Sequence, residues 1–178
     1  MKKLLFLLGP TILIGCQSNN SSKNNQHTSQ ATKKELPFGL HLAVEDLGEH
    51  TYNLNTLLRL DSGIYVISPY SKDDVYGPFT LSVNDSSHLS FIDSLIELPS
   101  SVPEFDSILE APVRFIKQGT RFQQKMQITK PTIDFETTGS IWMVPEPSCL
   151  PYEMEFTLIY KNGQLNLVTK ELEMVLGK

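Results

Sequence analysis

Between residues 153 and 168 the chain alternates apolar and polar side chains with a period of two, interrupted at Asn162-Gly163. Met154, Phe156, Leu158 and Tyr160 oppose the mostly polar Glu153, Glu155, Thr157 and Ile159, and Leu165 and Leu167 resume the pattern beyond the break. Successive side chains of a strand point to opposite faces, whereas a helix repeats every 3.6 residues, so this stretch can bury one face only as a strand. Asn-Gly suits a two-residue hairpin turn, because both residues tolerate positive φ. A β-hairpin with one buried face is therefore the fixed point from which the rest of the fold is read.

The same period recurs upstream. Leu40, Leu42 and Val44 alternate with His41 and Ala43, and Phe122, Met126 and Ile128 alternate with Arg121, Gln123, Lys125 and Gln127. Tyr52, Leu54 and Leu57 mark another strand, and the runs 78–83, 89–98, 111–117 and 139–144 add more. About nine short strands separated by Pro, Gly, Ser and Asp predict an all-β, antiparallel β-sandwich over residues 37–178. Residues 92–98 and 104–110 are also compatible with a turn of helix each. At 178 residues and 40% hydrophobic, the chain holds enough apolar mass for one domain with its own core.

The N-terminus follows different rules. Met1-Lys2-Lys3 is a positive start, Leu4 to Ile14 an apolar run of 11 residues, and Leu13-Ile14-Gly15-Cys16 closes it. Such a run is too short for a bilayer-spanning helix, which needs about 20 residues, and the arrangement reads as a secretory signal over residues 1–15. Leu13-Ile14-Gly15-Cys16 resembles the lipobox of bacterial lipoproteins. That resemblance implies lipidation at Cys16, with diacylglycerol on its sulfur and an acyl chain on its amine, and hence membrane attachment through lipid. Residues 16–36 are then a polar tether, which cannot bury enough apolar surface to offset the entropy of ordering. Twenty such residues span about 25 Å, and His27 is a solvated part of this spacer. Gln17, rather than Asp, after the anchor cysteine points by general lipoprotein sorting habits to the outer membrane, with the domain facing the periplasm.

Charge and cysteine content narrow the function classes. Removing Lys2, Lys3, Lys23, Lys33, Lys34 and Glu35 from the chain's 15 basic and 20 acidic side chains leaves 10 and 19, a net charge of −9 for residues 37–178. A surface this acidic is repelled by nucleic acid and by anionic headgroups. Of the two cysteines, Cys16 is taken by the anchor, so Cys149 has no intramolecular partner.

No familiar catalytic signature is present: no phosphate-binding Gly-rich loop, HExxH, Gly-x-Ser-x-Gly or Cys-x-x-Cys occurs. No cofactor is implied. His41, His50 and His88 are scattered and read as surface or strand-edge residues. Asp73-Asp74, in a Ser-Pro-Tyr-Ser-Lys loop, reads as a solvated turn rather than a calcium site.

The segment Gly139-Ser-Ile-Trp-Met-Val-Pro-Glu-Pro-Ser-Cys149-Leu150-Pro151-Tyr-Glu-Met-Glu-Phe-Thr-Leu158 resembles the end of the N-terminal periplasmic domain of the thiol:disulfide interchange protein DsbD. Cys149-Leu150-Pro151 matches that family's second cysteine with its Leu-Pro, while Tyr152 stands where a second proline is usual. Asp61-Ser-Gly63-Ile64-Tyr65-Val-Ile-Ser68 and Gly77-Pro78 are similar to an upstream motif, without its tryptophan and histidine. Phe105-Asp106, Ala111–Phe115 and Phe122–Ile128 follow the order of its middle strands. The likeness covers roughly residues 50–160. It implies an immunoglobulin-like sandwich whose cysteine pair, under an aromatic cap loop, exchanges electrons with thioredoxin-like partners. Phe105 is the residue whose order in the chain matches that loop.

The departure from the family is as informative. The first cysteine would fall at Val144 or Met143, and neither is a thiol. Dithiol exchange needs one thiolate to attack and another sulfur to resolve the mixed disulfide. Glu146, Glu153 and Glu155 would oppose thiolate formation if close to Cys149, so a packed, unreactive thiol is expected. Trp142 is expected in core or half-buried packing, and Tyr152 at the surface. The reading is a lipid-anchored, non-enzymatic interaction domain that docks another envelope protein through Cys149, Leu150, Pro151 and Tyr152, with Phe105 and Tyr70 on facing loops. The alternatives are a monothiol participant in periplasmic thiol-disulfide exchange through Cys149, and a structural or ligand-binding lipoprotein sharing only the sandwich architecture.

Overall fold

A computed structural model describes residues 36–71, 77–84 and 87–175. The signal segment, Cys16, the tether before Leu36, and Asp73-Asp74 lie outside the described residues. Twelve strands are present among those described: β1 Phe38–Gly48, β2 Thr51–Leu60, β3 Val66–Ile67, β4 Thr80–Val83, β5 Leu89–Leu98, β6 Pro103–Asp106, β7 Ala111–Ile116, β8 Thr120–Ile128, β9 Phe135–Met143, β10 Tyr152–Lys161, β11 Gln164–Thr169 and β12 Glu173–Met174. All pairings are antiparallel. One sheet runs β1-β2-β8-β5 and the other β11-β10-β9-β4, with β12 on β10; β3, β7 and β6 form a third, smaller sheet. The expected antiparallel sandwich is the observed fold.

Alternation dictates which faces meet. Tyr52, Leu54, Thr56 and Leu58 of β2 are buried, as are Phe122, Gln124, Met126 and Ile128 of β8 and Met154, Phe156, Leu158 and Tyr160 of β10. These inward rows join one hydrophobic core, in which each fully buried large apolar side chain contributes about 1.5–3 kcal/mol. Phe79, leading into β4, stacks on Phe122 with ring centroids 4.1 Å apart, and Tyr52 Oη donates to Gly163 O at 3.2 Å. Asn162 and Gly163 both have positive φ, as the two-residue turn between β10 and β11 requires. Gly139 is needed for another reason: a Cβ there would lie 2.4 Å from Phe156 Cζ and from the Ser82 carbonyl oxygen.

Of the two stretches that allowed a turn of helix, 92–98 is strand, and 104–110 is the end of β6 followed by the turn of a hairpin. In β5 the register with β8 shifts between Ile92 and Ile96, and Asp93 has positive φ. This bulge breaks the period-two pattern. Buried Gln124 donates from Nε2 to the Ile92 and Asp93 carbonyls, supplying donors that the interrupted ladder lacks. Residues 103–116 are a hairpin, Phe105 facing Pro112 and Asp106 facing Ala111 across β6 and β7. The residues of β6 are exposed or half-exposed, so no apolar alternation advertises the strand.

Candidate binding cleft around Cys149

Three chain segments separated in sequence meet beside Cys149. Tyr65 enters β3 and pairs with Glu146 through two backbone hydrogen bonds, Tyr65 N to Glu146 O at 3.2 Å and Glu146 N to Tyr65 O at 2.8 Å. Ile67 then pairs with Phe115 of β7, which brings in the β6–β7 hairpin. Trp142 and Val144 arrive at the end of β9. Together Tyr65, Ile67, Gly77, Asp106, Ile108, Phe115, Trp142, Val144, Glu146 and Cys149 line a cleft of about 710 Å³. That volume lies within the roughly 300–1,000 Å³ typical of ligand sites.

The lining is mainly aromatic and aliphatic, with acids set into it. Tyr65 meets Phe115 edge-on, centroids 5.3 Å apart at 88°. The Trp142 ring lies over Gly77, where an added Cβ would come within 2.4 Å of its Cη2. Gly77 also has φ +70, so both space and backbone favour glycine there. Burial pushes the Tyr65 hydroxyl above its usual titration range, with the nearby charge of Glu146 acting in the same direction.

Cys149 is the chemical centre of the loop. It has φ +53, and Ser148 Oγ donates to Pro145 O at 2.6 Å to close the preceding turn. The Sγ donates to Glu146 Oε2 at 3.0 Å. That hydrogen bond is the main reason the thiol's pKa is raised; burial and the Glu146 charge add to it. A carboxylate that accepts from S–H stabilises the protonated form and repels the thiolate. The expectation of a packed thiol is therefore corrected: Cys149 is exposed. The Glu146 carboxylate, more than burial, opposes its ionisation. Glu153 and Glu155 are not among the groups that raise its pKa.

The other expected site residues divide. Leu150 is exposed and Pro151 half-buried, both on the loop carrying Cys149. Tyr152 is not a surface residue. At 6% exposure it belongs to the core, packed edge-on against Phe38 at 4.8 Å, because it shares the inward parity of Met154 and Phe156 on β10. Trp142 is half-buried, as expected, with part of its ring in the cleft. Phe105 is not among the lining residues; it stands exposed on β6, while its neighbours Asp106 and Ile108 form the wall. Tyr70 is not brought to the cleft either. Its hydroxyl donates to the Leu95 carbonyl in the β5 bulge. Val144, one of the two positions where the first cysteine would fall, lines the cleft with Cys149, whereas Tyr65, Phe115 and Ile108 are lining residues that sequence reasoning did not single out. Tyr65 sat within the upstream motif, but nothing in the spacing joined it to Phe115.

The histidines are peripheral. His50 Nδ1 lies 3.2 Å from Tyr160 Oη at the β1–β2 turn, and His88 stacks on Phe135. Among the described residues no group of His, Cys, Asp and Glu could hold a metal ion. Compared with models of known protein families and with curated proteins, the chain matches none.

Proposed function

We propose that the protein is a lipid-anchored envelope component whose sandwich domain, similar in type to the N-terminal domain of DsbD, binds another envelope protein at the cleft beside Cys149 without dithiol exchange. The anchor is Cys16, and the tether lets the domain stand off the membrane, the outer membrane by the Gln17 criterion. One observation carries the docking role. The aromatic cleft is lined by exposed Ile108, 81% accessible, and the segments that build it also carry exposed Phe105, next to Asp106, and exposed Leu150, next to Cys149. Large apolar side chains exposed around a concave site mark a surface that gains by being covered. The thiol within it is hydrogen-bonded to a carboxylate and, with Cys16 given to the anchor, is left without a second thiol to resolve a mixed disulfide.

A photo-crosslinking residue at Leu150, introduced into the full chain in its own cell envelope, tests this reading. The expected result is a discrete protein adduct that persists when Cys149 is replaced by serine and is absent when the crosslinker sits on the β1–β2 turn at Glu49. Equal adducts from both positions, or none from Leu150, overturn the docking role. The exposure of Cys149 favours one competing reading, a monothiol that forms mixed disulfides resolved by the partner. An adduct that requires Cys149 and is released by reductant identifies that case.

A further inference from the structure

Within the cleft, Glu146 has a need that docking alone does not meet. It is 9% exposed, yet among the described residues the donor to its carboxylate is the Cys149 thiol, and no ion pair reaches it. A carboxylate withdrawn from water is costly unless a cation offsets the loss of hydration. Asp106 adds a second acid to the same lining. Its Oδ1 accepts the Ile108 and Leu109 N–H groups at 2.8 and 2.9 Å, leaving Oδ2 uncommitted among the described contacts. Lys117 does not supply the missing charge. It pairs with Glu104, lies over the Phe115 ring at 5.3 Å from the centroid, and is not part of the lining.

The rings complete the pattern. Tyr65, Phe115 and Trp142 present aromatic surface in the cleft that holds the two acids. Aromatic faces attract cations through the ring quadrupole. Resting on the docking role above, we propose that the cleft receives a cationic side chain of the partner, preferentially arginine, set against Glu146 and Asp106 and sandwiched by the aromatic lining. Arginine suits it better than lysine because a planar, weakly hydrated guanidinium both stacks on rings and pairs side-on with a carboxylate. The net charge of −9 over residues 37–178 would steer a basic segment toward this surface.

Trp142 is the chain's one tryptophan, so its fluorescence reports on this cleft. The full chain, purified in detergent, is titrated with acetyl-Gly-Arg-Gly-amide and with the same peptide carrying citrulline, which keeps the shape and removes the charge. A saturable change in emission is expected with arginine, with citrulline bound at least about tenfold more weakly. Glu146→Gln is expected to weaken the arginine peptide by about tenfold and leave the citrulline peptide unaffected. Asp106→Asn, which keeps the turn-capping oxygen, is expected to act in the same direction and serves if Glu146→Gln does not fold. Equal binding of the two peptides, the absence of a saturable response, or indifference to both substitutions overturns the proposal. The Leu150 crosslink separates the two readings. An adduct at unchanged yield in Glu146→Gln removes cation recognition and keeps docking, whereas no adduct in either protein removes docking itself.

Discussion

Phe156→Ala is expected to lower the unfolding free energy by about 3–5 kcal/mol, among the largest losses a single truncation can cause in this core. Total stability for a domain is about 5–15 kcal/mol, so the variant should melt more than about 10 °C below the parent. Phe156 is fully buried at the middle of β10, where its ring lies against Gly139 on β9. The surrounding strands are held by their ladders and cannot collapse into the void, which places the cost high in the range. The close fit has a second consequence. Gly139→Ala should itself destabilise, because its Cβ would meet both the Phe156 ring and the Ser82 carbonyl oxygen at 2.4 Å. In the double variant the ring clash disappears and the backbone clash stays, so the two costs should add to less than their sum. Thermal and denaturant unfolding of the two single variants and the double variant measures this directly. Full additivity would mean that the ring and the glycine do not share their space.

Glu97→Ala should produce the other large loss. Glu97 is 2% exposed, and its carboxylate accepts the Ser68 hydroxyl at 2.5 Å and the Ser101 backbone N–H. Arg114 in turn donates to the Ser101 carbonyl. This set ties the end of β5 to the end of β3 and to β7, the strands that carry Ile67 and Phe115 into the cleft. Removing the carboxylate strands the buried Ser68 hydroxyl, at a cost of about 1–3 kcal/mol, leaves the part-buried Ser101 N–H without its acceptor, and leaves a void where the side chain was. Glu97→Gln keeps one acceptor oxygen and should cost less than half as much. Because the segment behind Tyr65 and Ile67 loosens, Trp142 emission should also shift in Glu97→Ala and stay near the parent's in Glu97→Gln. Equilibrium unfolding followed by fluorescence reads both effects, and a loss below about 1 kcal/mol for the alanine variant would contradict the assigned role.

How far the sequence alone reaches can be seen at particular residues. The hairpin around Asn162-Gly163 was legible because turn chemistry and alternation agree. The hairpin of β6 and β7 was not, because β6 is an edge strand with no buried face to impose a period. In β5 the bulge at Asp93 puts apolar residues out of phase, and the result imitates a helical turn. Tyr152 was misplaced for a different reason. Proline on its N-terminal side suggests a loop exit, yet the parity of Met154 and Phe156 already put position 152 on the inward face. At the cleft, Cys149-Leu150-Pro151 could be located from the sequence, but its walls could not. Tyr65, Phe115 and Trp142 lie far apart in the chain, and long-range strand pairing is what joins them. Glu146 was recognised as a neighbour that could oppose the thiolate; what remained invisible was that its own side chain is withdrawn from water.

The claim that Cys149 marks a docking surface, and does not perform exchange, stands or falls on the ionisation of one thiol. The hydrogen bond to Glu146 holds the thiol's pKa above its ordinary value, so less thiolate forms at a given pH than in a free cysteine. The decisive measurement is the rate of alkylation of Cys149 in the folded protein as a function of pH, alongside the unfolded chain and Glu146→Gln. The account predicts a midpoint above about 8.5 in the folded protein, slower labelling at pH 7 than in the unfolded chain, and a midpoint that moves down when Glu146 loses its charge. A folded-state midpoint well below that of the unfolded chain, with faster labelling at neutral pH, would contradict it and make Cys149 a working nucleophile.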